Sequence, residues 1–407
     1  MSKFKCRVCS GINFDQIIDL GLQPWGNDFI EISKNIDCQK YPLRLIFCKD
    51  CKTVQIDHTV KKEIMFGNHY YLSGTTNTLK NHFIEVNKKA ISKFALNKDT
   101  DKILDIGGND GTYLEYFHKN NFFSLNIESS KIQSDMCNKK KIKCINEFFN
   151  LDLSKSINSK YGKFQIIHGS GIFFHLEELK SVFEGVKYLL DPEKGVVVAE
   201  FIYLPDMIKN LAYDQIYHEH LLYYSLSSFQ NLLDLFNLEI FDCYFNPIHG
   251  GSCVAYISHK DLFKKTDFFL NAIKQELEEG FLSLGVYQKF SKSINNLKNQ
   301  TLELIDHLNT ENQKIYALGA PVKGSTMINY LNLNEKNIQC AVEINKYKVD
   351  TYIPGTKIPV KYQYNTEYPD YFFLLSWNFK KEIISKLTDF RDKGGKIIVP
   401  LPNLEIL

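Results

Sequence analysis

The chain has 407 residues, which is too long for one ordinary hydrophobic core and predicts about three domains at roughly 150 residues each. Its hydrophobic content of 44% and charged content of 24% are ordinary for a soluble globular protein. The formal net charge of +2 and the lack of an apolar run long enough to cross a bilayer give no reason to expect a nucleic acid or membrane partner.

Two CxxC pairs stand near the beginning of the chain, Cys6 with Cys9 and Cys48 with Cys51. Each pair can form a tight turn that directs both sulfurs at one ion, and two such turns complete a closed tetrahedral Zn²⁺ site. Four thiolates leave no position for a catalytic water, so we expect a structural zinc in a domain over residues 1–70. Unligated core cysteines or a redox CxxC are the alternatives. The remaining cysteines are scattered, which favours a reducing, cytoplasmic location.

Short apolar runs alternate with helical patterns from Lys102 onward, and we assign residues 71–260 to this region. KILDIG, FFSLNIE, IKCIN, FQIIHGSG and GVVVAEFIY predict strands separated by helices. LEIFDCYF and SCVAYISH predict a closing antiparallel pair. This alternation predicts a mostly parallel, doubly wound sheet.

A glycine-rich turn, D-I-G-G-N-D-G, follows the first of these strands. Glycines let the backbone pass close under a ligand, but the pattern differs from the G-x-G-x-x-G of dinucleotide sites. Glu128 ends the second strand, where a carboxylate would accept hydrogen bonds from both ribose hydroxyls, and Phe149 could flank an adenine. We predict S-adenosylmethionine (SAM) as the ligand, and a NAD-type or empty Rossmann fold is the alternative. The predicted contacts from the turn are Asp105, which would face a cation or amine, with Gly107, Asn109, Asp110 and Gly111.

The sequence Tyr217-His218-Glu219-His220 places groups able to move or accept a proton in consecutive positions. An extended segment would put Tyr217 and Glu219 on one face, whereas a helical segment would pair Tyr217 with His220, and the sequence does not choose. A phenol beside an imidazole suits proton removal and stabilisation of the resulting oxyanion. His175, after the fourth strand, is predicted at the same edge of the sheet.

The C-terminal region, residues 261–407, begins with amphipathic helical patterns and then repeats strand, glycine turn and helix in KIYALGAPVKGSTMINYL. It predicts a second, smaller Rossmann-like domain. Lys323 in its glycine turn is a candidate phosphate contact, and His249 and Gly250 are candidate substrate contacts. Packing and tight turns are the alternative interpretations. The predicted fold class is therefore α/β, with a zinc-binding domain, a central doubly wound, Rossmann-like SAM-binding domain and a C-terminal smaller Rossmann-like domain.

The chain resembles the three-domain sugar C-methyltransferases along nearly its whole length. The motifs that carry the resemblance are QPWGNDF, C-x-x-C-x-x-V-Q at residues 48–55, Tyr-Tyr-x-Ser at 70–73, D-I-G-x-N-D-G-T, I-Y-H-E-H-x-x-Y-Y-S and G-A-P-V-K-G-S-T. The resemblance implies that the central domain is a class I SAM methyltransferase domain. It also implies methyl transfer from SAM to the carbon next to the ketone of a nucleotide-diphosphate-linked 4-keto-deoxy sugar. In the best-known members this is the third carbon.

The resemblance also implies roles for individual residues. His220 matches the general base and Tyr217 its partner near the keto oxygen. Glu219 and His175 match residues of the sugar pocket, and Tyr71 matches a lid tyrosine that contacts the reacting centre or SAM. Sugar O- or N-methylation and a non-catalytic zinc and Rossmann binding protein are the alternatives. The sequence leaves the oligomeric state open, and a monomer is one of the states it allows.

Overall fold

The computed structural model describes residues 4–34, 36–66 and 72–407. The N-terminal part contains an antiparallel sheet, followed by the short helix α1. The strands are β1 (Phe14–Pro24), β2 (Lys40–Cys48) and β3 (Val54–Ile56), and α1 covers Lys62–Phe66. The pairing of Phe14 with Cys48 brings the start of β1 beside the end of β2. This register places the two CxxC turns next to each other.

The central sheet has the doubly wound topology that the sequence predicts. Its strands are β4 (Lys102–Ile106), β5 (Phe123–Ile127), β6 (Lys143–Ile145), β7 (Ile166–Ser170), β8 (Val196–Ile202), β10 (Leu238–Asn246) and β11 (Ser252–His259). The order across the sheet is β10-β11-β8-β7-β4-β5-β6, parallel from β8 to β6, with β11 antiparallel to both β8 and β10. The strand order reverses between β4 and β7, which is where open α/β sheets bind ligands.

Helices cover both faces of this sheet. They are α2 (Asn77–Lys93), α3 (Leu114–Lys119), α4 (Lys131–Lys139), α5 (Leu151–Tyr161), α6 (Leu179–Leu189), α7 (Leu204–Lys209) and α8 (Leu226–Asp234). In α6 the buried side chains Leu179, Val182, Phe183 and Val186 recur at helical spacing and form one apolar face. At the start of α8, the side chains of Ser225 and Ser228 form a capping box that satisfies free backbone N–H groups.

The C-terminal part contains a second, mostly parallel sheet. Its elements are α9 (Asp267–Glu278), α10 (Leu284–Thr310), β12 (Ile315–Leu318), α11 (Val322–Tyr330), β13 (Cys340–Glu343), β14 (Val360–Tyr362), β15 (Tyr371–Leu374), α12 (Lys380–Ser385), α13 (Thr388–Asp392), β16 (Lys396–Val399) and β17 (Glu405–Ile406). The order β14-β13-β12-β15-β16-β17 reverses beside β12, as in a Rossmann-like domain. In this sheet β17 pairs antiparallel with β16, and the other strand pairs are parallel.

Several contacts join the three parts. The strand β9 (Leu222–Tyr223) follows residues 217–220 and pairs with β3. A strand from the central part of the chain therefore completes the N-terminal sheet. One hydrophobic core cluster includes residues of all three parts. Short 3₁₀ helices lie at Ile32–Lys34, Ser73–Thr75, Tyr213–Gln215, Ile248–Gly250, Lys346–Lys348, Gln363–Asn365 and Trp377–Phe379. Among the described residues, no helix has the length and apolar character that crossing a membrane requires.

The predicted domain bounds, 1–70, 71–260 and 261–407, stay a prediction. The central sheet ends at His259 and the next helix begins at Asp267, which is where the second of these bounds falls.

Candidate active site

A cavity of about 450 Å³ lies at the carboxyl ends of β4, β7 and β8. Gly107, Gly171 and Ile202 mark these strand ends in its lining. The N-terminal and C-terminal parts also contribute side chains to the lining, among them Asn27, Met65, Val322, Lys323 and Phe379. The three parts of the chain therefore meet around one site.

The glycine turn after β4 forms one side of the cavity and fits a nucleoside ligand. Gly107 has φ of +67°, a conformation that favours glycine, and a Cβ on Gly108 would come within 2.4 Å of Asp105 Oδ2. Each carboxylate oxygen of Glu128 accepts one backbone N–H, from Asn109 at 2.9 Å and from Ser130 at 2.7 Å. A lone pair on each oxygen is left for two neighbouring hydroxyls. Phe149 lies in the same part of the lining.

Asp105 has a different position from the one expected. Its carboxylate is buried beneath the glycine turn, where Oδ1 lies 2.7 Å from His168 Nδ1, and it does not line the cavity. Burial raises the pKa of Asp105, and His168 opposes that shift. Because this carboxylate is buried against His168 and does not line the cavity, we assign it to support of the turn rather than to contact with a ligand amine.

Asp110 and Gly111 also lie behind the cavity. The Asp110 carboxylate accepts hydrogen bonds from the Thr112 hydroxyl at 2.6 Å and forms an ion pair with Lys140 at 3.2 Å. Gly111 packs against α4, where an added Cβ would lie 2.7 Å from Cys137 Sγ. Both residues shape the turn from behind, and neither is in the cavity lining.

Residues 217–220 form a tight turn, which we call the YHEH turn. The backbone N–H of His220 donates to the carbonyl of Tyr217 at 2.9 Å, so the segment is neither an extended strand nor a helix. The turn nevertheless brings the Tyr217 and His220 rings together, with centroids 3.9 Å apart. The side-chain pairing is that of the helical alternative, because a turn also places residues i and i+3 side by side.

His220 is buried and held in one protonation pattern. Its Nδ1 lies 2.9 Å from the carbonyl oxygen of Gln215, which also accepts the hydroxyl of Tyr223 at 3.2 Å. A carbonyl oxygen only accepts hydrogen bonds, so Nδ1 carries the proton and Nε2 carries the lone pair. Burial and the neighbouring His175 lower the pKa of His220 well below its usual 6.5. The ring is therefore a neutral base at ordinary pH.

Glu219 is held by two donors from the N-terminal part. Trp25 Nε1 and Asn27 Nδ2 both donate to its Oε1, at 2.7 and 2.9 Å. Burial raises the pKa of Glu219, and these two hydrogen bonds oppose the shift. His175 Nδ1 is hydrogen-bonded to the backbone carbonyl of Glu219, and its ring centroid lies 5.1 Å from that of His220. Glu219 and His175 both line the cavity.

His218, in the middle of the turn, points away from the cavity. Its Nε2 lies 3.2 Å from the carbonyl oxygen of Pro42, and the side chain is fully buried against the N-terminal sheet. Burial lowers the pKa of His218 to about 4. This histidine joins the turn to the neighbouring sheet.

The three predicted substrate contacts have different surroundings. Lys323 lines the cavity, but its Nζ donates to Asn378 Oδ1 at 2.6 Å and lies 3.4 Å from Asp214 Oδ2. Burial lowers the pKa of Lys323, and Asp214 opposes that shift. His249 lines the cavity, whereas Gly250 does not and its carbonyl accepts the side chain of Asn210 at 3.2 Å. Tyr71, the predicted lid residue, lies outside the described residues.

Sequence reasoning missed a buried carboxylate in the lining, Glu200 of β8. It accepts hydrogen bonds from the Ser170 hydroxyl at 2.9 Å and lies 2.8 Å from His82 Nε2. Burial would raise the pKa of Glu200, but His82 outweighs it and the pKa is lowered. A single acid inside the otherwise apolar run GVVVAEFIY was the available signal, since a buried charge requires partners.

The four N-terminal cysteines fit a zinc ion. Their sulfurs lie within 4.8 Å of one another, with Cys6 Sγ 3.5 Å from Cys51 Sγ and Cys9 Sγ 3.7 Å from Cys48 Sγ. Tetrahedral zinc with Zn–S bonds of about 2.3 Å separates its sulfurs by about 3.8 Å. Gln55 Nε2 donates to Cys6 Sγ at 3.0 Å, a hydrogen bond that stabilises a thiolate ligand.

Comparisons with known proteins agree with this three-part organisation. Family models match residues 6–66 (a candidate zinc binding domain), 80–242 (methyltransferase domain) and 247–402 (C-methyltransferase C-terminal domain). The C-methyltransferase NovU of Streptomyces niveus is 24% identical over 407 residues, covering 99% of this chain and 96% of NovU.

Two solved methyltransferase structures are similar to part of the chain. A SAM-dependent methyltransferase from Clostridium acetobutylicum is 14% identical, covering 44% of this chain and 92% of its own, with a TM-score of 0.36. One from Anabaena variabilis is also 14% identical, covering 44% of this chain and 86% of its own, with a TM-score of 0.34. From the family models and the full-length relative, we conclude that the chain belongs to the C-methyltransferase family and is a SAM-dependent methyltransferase with an N-terminal zinc-binding domain.

Proposed function

We propose that this protein methylates the carbon next to the ketone, C-3, of a nucleotide-linked 4-keto-deoxy sugar in the biosynthesis of a branched-chain sugar. The observation that carries the proposal is the pairing of Tyr217 and His220, with ring centroids 3.9 Å apart at the cavity wall. Methylation at carbon requires a base and an oxyanion partner at neighbouring atoms of the substrate. A hydroxyl or amine acceptor requires only the base.

His220 is the proposed general base. A ketone makes the neighbouring C–H acidic, and a neutral imidazole can remove that proton if the oxyanion is stabilised at once. With Nδ1–H donated to the Gln215 carbonyl, Nε2 is the nitrogen that accepts the substrate proton. The electrons of the broken C–H bond move to the keto oxygen and form an enolate.

Tyr217 is the proposed partner of the keto oxygen. A phenol beside the base can donate a hydrogen bond to the negative charge that develops there. Glu219, held by Trp25 and Asn27, would accept a hydrogen bond from a sugar hydroxyl through its second carboxylate oxygen. Together these side chains would orient the sugar with its acidic carbon facing the base.

SAM would supply an electrophilic methyl group to the enolate carbon, with the S–CH₃ bond breaking and S-adenosylhomocysteine leaving. The residues that would hold SAM are the glycine turn, with Glu128 at the ribose and Phe149 at the adenine. The chain's own part in this step is to hold the two reactants at the carboxyl ends of β4 and β7, so much of the acceleration would come from positioning.

The free cysteines of the described chain agree with a reducing, cytoplasmic setting.

The test is incubation with SAM and a panel of 4-keto-6-deoxy sugars linked to dTDP, GDP or CDP, followed by mass spectrometry and NMR. We expect a gain of one methyl group at C-3, and we expect His220→Asn to bind SAM but to lose methylation by about 10²-fold or more. His218→Asn, two residues away, is the matched control and should keep methylating. Full-rate methylation by His220→Asn would rule out the assigned base.

Solvent deuterium separates carbon methylation from sugar O- or N-methylation. With S-adenosylhomocysteine in place of SAM, wild-type protein should exchange the C-3 proton of its keto sugar with solvent. Methylation of the sugar without such exchange would favour an oxygen or nitrogen acceptor.

A further inference from the structure

We propose that the C-terminal domain fixes the position and tautomer of His220 through a buried cluster of Asp214, Lys323 and Trp377. We call these residues the 214–323–377 cluster. The inference rests on the proposed role of His220 as the general base. It gives the C-terminal domain a part in the chemistry that does not depend on that domain binding a ligand.

The cluster surrounds a fully buried carboxylate. Asp214 is 0% exposed, and its Oδ2 accepts Trp377 Nε1–H at 2.7 Å and lies 3.4 Å from Lys323 Nζ. Among the described residues, Asp214 Oδ1 has no hydrogen-bond partner. Trp377 and Lys323 therefore provide the compensation that a buried carboxylate requires, and removing either leaves the charge poorly satisfied.

Lys323 and Trp377 also hold each other in place. Lys323 Nζ donates to Asn378 Oδ1 at 2.6 Å and stands over the Trp377 ring, 4.7 Å from its centroid. Lys323 belongs to α11 and Trp377 to the 3₁₀ helix after β15, so both come from the C-terminal domain. Because two oxygens already engage the ammonium group, we assign Lys323 to this cluster rather than to a substrate phosphate.

The cluster is one residue away from the contact that orients the base. Asp214 precedes Gln215, whose carbonyl oxygen receives His220 Nδ1–H at 2.9 Å and the Tyr223 hydroxyl at 3.2 Å. The Gln215 side chain is anchored separately, since its Nε2 donates to the carbonyl of His249 at 2.9 Å. Asp214 thus holds the backbone of the Tyr213–Gln215 turn. The carbonyl of the next residue, Gln215, selects the His220 tautomer.

Loss of the cluster should therefore act on the base before it acts on binding. If the Tyr213–Gln215 turn rotates, the Gln215 carbonyl leaves Nδ1, and the proton can move to Nε2. His220 would then present an N–H instead of a lone pair to the substrate carbon. The glycine turn and Glu128 lie on other strands, so binding of the cofactor should persist.

The experiment uses Trp377→Phe in the full-length protein, a change that keeps an aromatic ring and removes the N–H. The His220 tautomer is measured by ¹⁵N NMR of histidine-labelled protein, with His220→Asn used to assign the signals. We expect the Nδ1–H tautomer in the wild type and a mixture of tautomers in Trp377→Phe. We also expect deuterium exchange at C-3 of dTDP-4-keto-6-deoxyglucose, or of the panel sugar that the wild type methylates, to fall about tenfold or more.

The matched control is Trp25→Phe, which removes the indole N–H from the other tryptophan of the chain. It should leave the His220 tautomer unchanged and weaken sugar binding instead, because Trp25 donates to Glu219. Binding of S-adenosylhomocysteine shows whether each variant is folded. Asp214→Asn, which keeps an acceptor for the indole but loses the charge that faces Lys323, is the second variant and should shift the tautomer in the same direction.

An unchanged tautomer and unchanged exchange in folded Trp377→Phe or Asp214→Asn would overturn the inference. Failure of the proposed function has a different signature. In that case the wild type exchanges no C–H of any sugar in the panel, while the NMR measurement still decides whether the cluster sets the tautomer.

Discussion

At the scale of single residues, His218 and His220 show how a turn divides neighbouring side chains between structure and chemistry. His218 binds the carbonyl of Pro42 in the N-terminal sheet, and His220 binds the carbonyl of Gln215 at the cavity. Both histidines are buried and neutral, but only His220 lines the cavity. Both lowered pKa values make the folded protein less stable in acid, and His220 alone should also set the pH dependence of catalysis.

His218 should make the protein less stable in acid. Burial lowers its pKa from 6.5 to about 4, so below pH 6.5 the unfolded chain binds a proton that the folded chain does not. Stability is then present above pH 6.5 and is lost as the pH falls towards 4, by about 3 kcal/mol for a shift of this size. His218→Gln keeps a donor for Pro42 and should flatten this dependence. Urea unfolding at pH 7.5, 6 and 5 measures it, and equal slopes in both proteins would contradict the assignment.

His220 should remain an active base below the usual histidine range. Burial lowers its pKa most, followed by the charges of His175 and His249, and the Gln215 carbonyl opposes them. A base is lost when it is protonated, so the acid limb of kcat/KM should lie below pH 6.5. His175→Asn removes one of the charges that lower the pKa of His220. That pKa should therefore rise and the acid limb should move to higher pH, whatever the effect on the maximal rate. A limb that stays in place would show that His220 is not the group titrating.

The sequence predicted which residues gather at the site better than it predicted what they touch. Tyr217, His220 and Glu219 are chemically conspicuous because they are adjacent. The Gln215 carbonyl that sets the tautomer is a backbone atom and leaves no sequence signal. Asp105 was misplaced because an acid beside a glycine turn suggests a ligand contact, and only packing against His168 shows that it is buried.

At the scale of elements, the loop over residues 25–27 connects the zinc-binding domain to the proposed sugar pocket. Trp25 and Asn27 donate to Glu219, and the Gly26 carbonyl accepts the hydroxyl of Ser325 in α11 at 3.3 Å. An added Cβ on Gly26 would lie 2.7 Å from Val322, so the loop packs closely on that helix. A short loop thus contacts both neighbouring parts of the chain.

Removing one donor of this loop should weaken sugar binding. Trp25→Phe leaves Glu219 with Asn27 as its remaining side-chain donor, and loss of a hydrogen bond to a charged group costs about 1.5–3 kcal/mol. We expect KM for the keto sugar to rise about tenfold or more while the dissociation constant of S-adenosylhomocysteine is unchanged. Glu219→Gln combined with Trp25→Phe should be less than additive, because both changes act on one contact. Strictly additive effects on KM would show that Trp25 and Glu219 act on sugar binding independently.

The elements of the two parallel sheets were predictable because a strand and helix rhythm is a local pattern. The pairing of β9 with β3 was not, since two residues carry no periodicity and the partner strand is distant in the chain. The YHEH turn was ambiguous for the same reason. Its geometry follows from β9 and from the Tyr213–Gln215 helix on either side, which leave only a few residues to reverse direction.

At the scale of the whole molecule, zinc should act on the half of the site that we propose binds the sugar. The cysteine cluster fixes the end of β2, which pairs with β3, and β3 pairs with β9 directly after the YHEH turn. Asn231 of α8 also donates to the carbonyl of Cys51 at 3.1 Å. The proposed cofactor half, by contrast, consists of cavity-lining residues of the central part, including Gly107, Glu128 and Phe149.

Removal of zinc should therefore abolish catalysis before it abolishes cofactor binding. In Cys48→Ser protein, zinc content measured by plasma mass spectrometry should fall, because a closed site tolerates loss of a thiolate ligand poorly. We expect C-3 deuterium exchange to be lost, since Glu219, Tyr217 and His220 depend on the N-terminal sheet, while calorimetry still detects S-adenosylhomocysteine. Cys38→Ser, outside the cluster, is the matched control and should keep both zinc and exchange. Exchange at the wild-type rate in zinc-free protein would show that the YHEH turn holds its geometry without the sheet beside it.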